Sequence, residues 1–328
     1  MNHEAVQSVL LDSVDSVDSV DPVDLIDRVE GEPTTQCGFI AIVGRPNVGK
    51  SSLMNTLLGK KVSITSFRPQ TTRFQVLGIK TTEETQIVYI DTPGIHQGVK
   101  SALNRQMNKT ARKALSDVDA VLFMVEALKW TPEDEMVCDV LHKREDCPVI
   151  VVINKIDLVP DKRQLLAFIQ QVSCYLPHAI LIPISVRKRL QLEDLESCVK
   201  KFAKPSPFYF PQEQSMNHSE SFHAAEIVRE KLMRLLAQEI PYATAVQVEK
   251  IEHTETIVHL QAVIYVEREG QKRVVIGEKG SKIGEIGKSA REDLERFYEK
   301  QVCLKLWVKV KERWSNDGGF LKEFGTFA

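Results

Sequence analysis

The run Gly44-Arg45-Pro46-Asn47-Val48-Gly49-Lys50-Ser51 fits the spacing G-x-x-x-x-G-K-S and leaves few folds open to the chain that carries it. Phe39-Ile40-Ala41-Ile42-Val43 reads as a buried strand entering the run, and Ser52-Leu53-Met54-Asn55-Thr56-Leu57-Leu58 reads as the helix leaving it. In a strand, loop and helix of this kind the backbone N–H groups converge on an anion at the helix N-terminus. Lys50 is then expected to reach the β- and γ-phosphates of a nucleotide and Ser51 to ligate magnesium. The expected contacts extend over Gly44, Arg45, Pro46, Asn47, Val48, Gly49, Lys50, Ser51 and Ser52, in an α/β phosphate-loop domain.

Two further elements follow in the order such a domain requires. Gln86-Ile87-Val88-Tyr89-Ile90 reads as a strand and leads into Asp91-Thr92-Pro93-Gly94, where Asp91 is placed to hold magnesium through a water and the Gly94 N–H to meet the γ-phosphate. Pro148-Val149-Ile150-Val151-Val152-Ile153 leads into Asn154-Lys155-Ile156-Asp157. A carboxylate there accepts from the N1–H and 2-amino group of guanine, whereas adenine offers no such donor pair. The sequence therefore predicts GTP and GDP as ligands. Ala179-Ile180-Leu181-Ile182-Pro183-Ile184 leads to Ser185-Val186-Arg187, the expected backbone contact to the base through Ser185 and Val186.

Between the first two elements lies Ser66-Phe67-Arg68-Pro69-Gln70-Thr71-Thr72-Arg73-Phe74, a polar stretch expected to be a switch loop. One threonine hydroxyl would complete the magnesium shell, and Thr72 is preferred to Thr71. No side chain stands out as a general base. Catalysis is expected to come from positioning and electrostatics through Lys50, Thr72, Asp91 and Gly94. The residue after Gly94 is Ile95, which can neither orient nor deprotonate water, so the intrinsic hydrolysis rate is expected to be low.

The stretches Gly44 to Ser51, Pro69-Gln70-Thr71-Thr72-Arg73, Asp91 to Gly94, Trp130-Thr131-Pro132 and Asn154 to Asp157 resemble the Era family of bacterial ribosome-assembly GTPases. The resemblance runs from Cys37 to about Lys311 and departs at Ser185-Val186-Arg187, where the family usually has Ser-Ala. Similarity to GTPases with a hydrophobic residue after the Asp-x-x-Gly glycine implies a potassium ion bridging the phosphates, bound with help from Asn47. A purely structural role for Asn47 in the loop is the alternative.

The chain has 328 residues, enough for an α/β domain and a second, smaller one. Six cysteines without C-x-x-C or metal-ligand spacing read as free thiols in a reducing compartment. No apolar stretch approaches the roughly 18 residues of a membrane span, and the acidic N-terminus lacks a secretory core. A cytoplasmic protein is expected. The net charge of −2 conceals −8 over residues 1–36, from nine acidic and one basic side chain, and so +6 over the remainder. That tail, with its Asp-Ser-Val repeat from Asp12 to Asp21, has no helix or strand period and is expected to be disordered.

The GTPase domain is expected over residues 37–204, followed by a proline-rich linker over 205–218. A second α+β domain spans 219–312, and a tail covers 313–328. Ser221 to Glu239 has helical apolar spacing, stopped by Pro241, and Ala243 to Ile251 and Thr256 to Val266 read as two antiparallel strands. The run Ile276-Gly277-Glu278-Lys279-Gly280-Ser281-Lys282-Ile283 then supplies a G-x-x-G turn. Gly277 and Gly280 permit close approach of a nucleic-acid backbone, and Lys279 and Lys282 meet its phosphates. With Val302 to Val310 as a last strand, the order of elements resembles a type II KH domain. Ile276, Gly277, Glu278, Lys279, Gly280, Lys282 and Ile283 are its expected RNA contacts.

Residues 270–313 carry twelve Lys and Arg against seven Asp and Glu. Such clamps hold about four unpaired nucleotides, so single-stranded RNA is expected and DNA is not. The family resemblance implies the 3′ end of small-subunit ribosomal RNA and the immature small subunit as partners. It also implies a peripheral contact with the cytoplasmic face of the inner membrane. A membrane-linked growth regulator, or an RNA-binding module with incidental turnover, are the readings that compete with a working GTPase switch.

Overall fold

In the computed structural model, residues 35–94, 102–144 and 146–325 are described. The acidic repeat and Ile95 lie outside the described residues. Strand β1 (Gln36–Val43) leads into helix α1 (Lys50–Leu58), and then come β2 (Val76–Thr81) and β3 (Thr85–Asp91). Next are α2 (Ala102–Lys113), β4 (Ala120–Glu126), α3 (Pro132–His142) and β5 (Val149–Asn154). Helix α4 (Lys162–Tyr175), β6 (Ile180–Pro183), α5 (Leu192–Lys200) and the short β7 (Lys204–Pro205) complete the domain. The strands form one seven-stranded sheet in the order β2-β3-β1-β4-β5-β6, with β7 pairing β1.

Strands β1, β3, β4, β5 and β6 run parallel, and β2 is antiparallel to β3. Parallel strands covered on both faces read as unbroken apolar runs. Accordingly β4, Ala-Val-Leu-Phe-Met-Val-Glu, is buried at every position. Sequence analysis assigned no strand to residues 120–126 or 76–81, yet β4 sits between β1 and β5 at the centre of the sheet. A short apolar run of that kind has no period separating strand from buried helix.

The second domain opens with α6 (Glu220–Leu235), capped by the Ser219 hydroxyl on the Phe222 N–H at 3.2 Å. The helix stops at Leu236, short of the expected Glu239, because Leu236 is already extended and Gln238 turns left-handed ahead of Pro241. Strands β8 (Thr244–His253) and β9 (Ile257–Val266), helices α7 (Glu269–Ile276) and α8 (Ser281–Tyr298), and β10 (Gln301–Val310) follow. The sheet order is β10-β9-β8, with β9 and β10 parallel. Helices α6, α7 and α8 share a core with it through Val228, Leu232, Val275, Ile286, Ala290 and Leu294.

Two segments outside the expected domains make contacts with them. The proline-rich segment is extended but lies against the first domain: β7 pairs β1, Tyr209 and Phe210 N–H groups donate to the Gln86 Oε1 at 2.9 and 3.0 Å, and Ile79 N donates to the Ser215 carbonyl at 2.9 Å. Beyond residue 312 the chain is packed rather than trailing. Trp314, Phe320 and Leu321, the last two at the start of helix α9 (Gly318–Gly325), are buried with Leu103 and Met107 of α2 and Ala245 of β8.

Candidate functional site

Parallel α/β sheets present their ligands at the carboxyl ends of the strands, and the three expected motifs meet there, after β1, β3 and β5. Gly49 turns with φ 110°, and a Cβ on it would fall 2.6 Å from the Asn154 Nδ2, so the loop needs glycine where it touches the third motif. Lys50 is buried and donates to the Gly44 and Arg45 carbonyls at 2.9 Å each. Burial pushes its ammonium down to about 8. Pro46, Asn47, Gly49, Lys50, Ser51 and Ser52 line one wall of a cleft whose other wall is Ile64 to Thr72 and whose end is Gly94. Val48 is fully buried beneath the loop.

Arg45 is not free to swing toward a ligand. It is held by Glu126 at 3.3 Å and Asp134 at 3.1 Å. Asp134 also accepts from the Thr131 N–H and hydroxyl, so the start of α3, Trp130-Thr131-Pro132, braces the loop from behind.

Asp91 is fully buried at the end of β3, and one of its oxygens accepts from Ser51 Oγ at 2.6 Å and Ser63 Oγ at 2.8 Å. Burial raises its carboxyl above the usual range, against those hydrogen bonds and the charge of Lys50. Its other oxygen, Oδ1, is buried without a partner. Thr72 Oγ1 lies 3.0 Å from Ser51 Oγ and 3.4 Å from Asp91, whereas the Thr71 hydroxyl donates to the Arg68 carbonyl at 2.7 Å. Of the two threonines, Thr72 is the one aimed into the site.

Two hydroxyls and a carboxylate with a spare oxygen suit a small hard cation. Among the described residues no three His, Cys, Asp or Glu side chains gather as a metal cage, so such an ion would share its shell with phosphates. Thr92 donates to the Ile42 carbonyl at 2.9 Å, Pro93 is buried, and Gly94, at the end of the cleft, lies against Pro46.

The third motif is built from both sides. Asn154 Nδ2 donates to the Val48 carbonyl at 2.8 Å, and its Oδ1 accepts from the Val186 N–H at 3.1 Å. Lys155 turns left-handed and pairs with Glu126 at 2.8 Å, so Glu126 joins phosphate loop to guanine motif. Burial works against the Glu126 charge, but the lysine partners hold its carboxyl down at about 2. Asp157, half-buried, accepts from Ser185 Oγ at 2.6 Å. Ser185 and Val186 thus fasten the motif itself, even though the tripeptide departs from the family pattern.

In the second domain the G-x-x-G turn links α7 to α8. A Cβ on Gly277 would sit 2.6 Å from Lys282 Cβ, and Gly280, where a Cβ would meet nothing within 4 Å, takes a left-handed φ of 82°, so the turn favours glycine at both positions. Glu278 and Lys279 are exposed, and Lys282 pairs with Glu285 at 2.8 Å. Ile276 and Ile283 are half-buried, and Ile283 lines a groove between α8 and β10. Gly280, expected from the sequence, lines it too, but sequence reasoning missed the rest of that groove: Gly284 and Gly287 continue its helical wall, Lys288 and Arg291 extend it, and Leu304 and Leu306 face them from β10. The signal was present, since each glycine inside a helix costs about 1 kcal/mol against alanine and calls for a reason.

Comparison with known proteins covers both domains. The family model described as "50S ribosome-binding GTPase" matches residues 39–155, and the one described as "KH domain" matches residues 239–315. GTPase Era of Marinobacter nauticus is 50% identical over 293 residues, which is 89% of this chain and 96% of that protein. GTPase Era of Coxiella burnetii is 48% identical over 291 residues, 89% of this chain and 98% of that one. Among solved structures, Era in complex with MgGDPNP and nucleotides 1506–1542 of 16S ribosomal RNA superposes with a TM-score of 0.85 at 38% identity. The match covers 90% of this chain and all of the other. A variant of Aquifex aeolicus Era bound to GDP and aluminium fluoride matches equally, with a TM-score of 0.85 and 38% identity. Similarity of this depth, continuous through the phosphate cleft and the G-x-x-G groove, makes the chain a member of the Era family of GTPases.

Proposed function

We propose that this GTPase is a switch whose clamp domain binds the 3′ end of small-subunit ribosomal RNA and assists maturation of the small subunit. The observation that carries the reading is the open groove beside Gly280, floored by Ile283, Leu304 and Leu306 and edged by Lys288 and Arg291, in a chain whose other domain holds the phosphate-loop cleft. The 16S fragment held by the Era structure described above supports the choice of RNA. The division we propose is a GTPase domain over 37–204, a linker over 205–218 and a clamp over 219–312.

In this reading the loop N–H groups and Lys50 bind the β- and γ-phosphates, Ser51, Thr72 and Asp91 hold magnesium, and Gly94 meets the γ-phosphate. Asn154, Lys155 and Asp157 select guanine. The magnesium ion, when bound, neutralises charge on the transferring phosphoryl group. Lys50 lines the cleft as a fixed cation, and Asn47, on the same wall, is the residue that would help bind potassium. No described side chain is placed as a general base, so the residues act by orientation and charge. Ile276 to Ile283 clamp the RNA backbone. No helix among the described residues is long and apolar enough to cross a membrane. We place the protein in the cytoplasm, with any inner-membrane contact peripheral.

Gly280→Asp tests the clamp. It sets a negative charge in the open space where phosphates should pass, so binding of a single-stranded ribosomal 3′-end oligonucleotide should be lost while basal GTP turnover persists. Lys50→Ala should do the reverse. A Gly280→Asp protein that binds the oligonucleotide like wild type reduces the turn to a helix connection and removes the ribosomal reading.

A further inference from the structure

We propose that Arg229, on the first helix of the RNA-clamp domain, is a positioning residue for GTP hydrolysis: it holds the Thr71 carbonyl so that the adjacent Thr72 hydroxyl stays aimed at the phosphate cleft. Arg229 is 2% exposed. Its Nε and Nη2 bond both oxygens of Glu226 at 2.6 Å, a fork that fixes the guanidinium plane, and Nη2 also donates across the domain boundary to the Thr71 carbonyl.

The other side of Thr72 is held as firmly. Arg73 is 4% exposed and reaches into the clamp domain, donating to the Thr244 carbonyl at 2.6 Å, the Tyr242 carbonyl at 3.0 Å and the Pro241 carbonyl at 3.2 Å. Its guanidinium lies 5.8 Å over the Trp314 ring. Because a peptide unit is planar, fixing the Thr71 carbonyl fixes the plane that enters Thr72. Few dihedrals then remain to move the hydroxyl from Ser51 and Asp91. The start of the loop is tied to the same helix: Thr65 N donates to Glu230 at 2.9 Å, and Arg234 donates to the Thr65 carbonyl at 2.9 Å.

This arrangement is costly as a mere domain contact. Burial and the neighbouring Arg229 charge press Arg73 down to about 9, and Arg73 Nε and Arg229 Nη1 are buried without partners. Apolar residues would join two surfaces without leaving such groups unpaired. Two guanidiniums holding backbone carbonyls on either side of one threonine instead fix a position.

The inference rests on Thr72 as the switch hydroxyl, so the test includes it. Full-length Arg229→Met, Arg229→Lys and Thr72→Ala proteins are compared for GTP turnover, for the magnesium concentration at half-maximal rate, for GDP affinity and for melting temperature. Arg229→Met should turn over roughly tenfold to a hundredfold more slowly, the scale of a misplaced catalytic group. It should need more magnesium with GTP yet bind GDP as wild type does. Arg229→Lys, which keeps a donor, should recover part of the rate. If Thr72→Ala is impaired but Arg229→Met matches wild type in rate and magnesium requirement, Arg229 only packs the interface and the proposal fails. If Arg229→Met loses GDP affinity and melting temperature in step with turnover, its role is structural and the proposal fails equally. If Thr72→Ala itself hydrolyses GTP normally, the threonine assignment fails first and takes the proposal with it.

Discussion

Asp157→Asn isolates guanine recognition from folding. The Ser185 hydroxyl donates to one Asp157 oxygen at 2.6 Å, and an asparagine carbonyl accepts that bond equally well, so the motif should remain assembled. What changes is the other atom, from an acceptor to an NH₂ donor facing the N1–H and 2-amino donors of guanine. Two hydrogen bonds to a charged group are lost, at about 1.5–3 kcal/mol each, which gives about 3–6 kcal/mol in all. At 1.4 kcal/mol per decade, GTP affinity should fall on the order of a hundredfold to ten-thousandfold. Xanthine carries an oxygen where guanine has the 2-amino group, so xanthosine triphosphate should gain what GTP loses. Parallel titrations with labelled GTP and xanthosine triphosphate, at matched melting temperature, read both changes. Wild-type GTP affinity in the variant, with no gain for the xanthine nucleotide, would refute the assignment of Asp157.

Other expectations follow from the same structure. Hydrolysis should be slow and faster in potassium than in sodium, since Asn47 lines the cleft; equal rates at saturating magnesium and GTP would leave Asn47 structural. Gly284→Ala, whose Cβ would meet nothing within 4 Å, should stabilise α8 by roughly 1 kcal/mol while weakening oligonucleotide binding in the groove; unchanged RNA affinity would take Gly284 out of the interface. Burial lowers His218 and His223 to about 4, with the charges of His223 and Lys61 respectively as the next cause. Their folded values lie below the unfolded value near 6.5, so the unfolded chain binds protons first and stability should fall between about pH 6.5 and pH 4. His223→Gln should flatten that decline in thermal unfolding, and an unaltered pH profile would deny His223 a part in it.

Much of the nucleotide site is legible in the sequence because its chemistry demands contiguous residues. A phosphate needs successive N–H groups, and a guanine edge needs one carboxylate after a strand end, so Gly44 to Ser51 and Asn154 to Asp157 carry their own signature. The family resemblance stands on those motifs and on the G-x-x-G turn, and the relatives agree with it. What could not be read is pairing between distant segments. Arg229, Glu230 and Lys231 are three consecutive charged residues, yet they are 2%, 0% and 4% exposed. Lys61, from the first domain, meets Glu230 at 2.5 Å and Asp293 at 2.7 Å, and nothing local to residue 61 announces it. The contacts of the proline-rich linker are equally silent in its sequence. It is fastened along β1 and β2, so the two domains meet through the switch loop rather than merely through a linker.

The central claim is that this GTPase works on the 3′ end of small-subunit ribosomal RNA through its G-x-x-G groove. Crosslinking the wild-type and Gly280→Asp proteins to RNA in cells, with the crosslinked positions mapped by sequencing, tests it most directly. The account predicts that wild-type crosslinks gather at the 3′ end of the small-subunit RNA and that Gly280→Asp loses them. Crosslinks spread over other RNAs without enrichment there, or retained in full by Gly280→Asp, would contradict it.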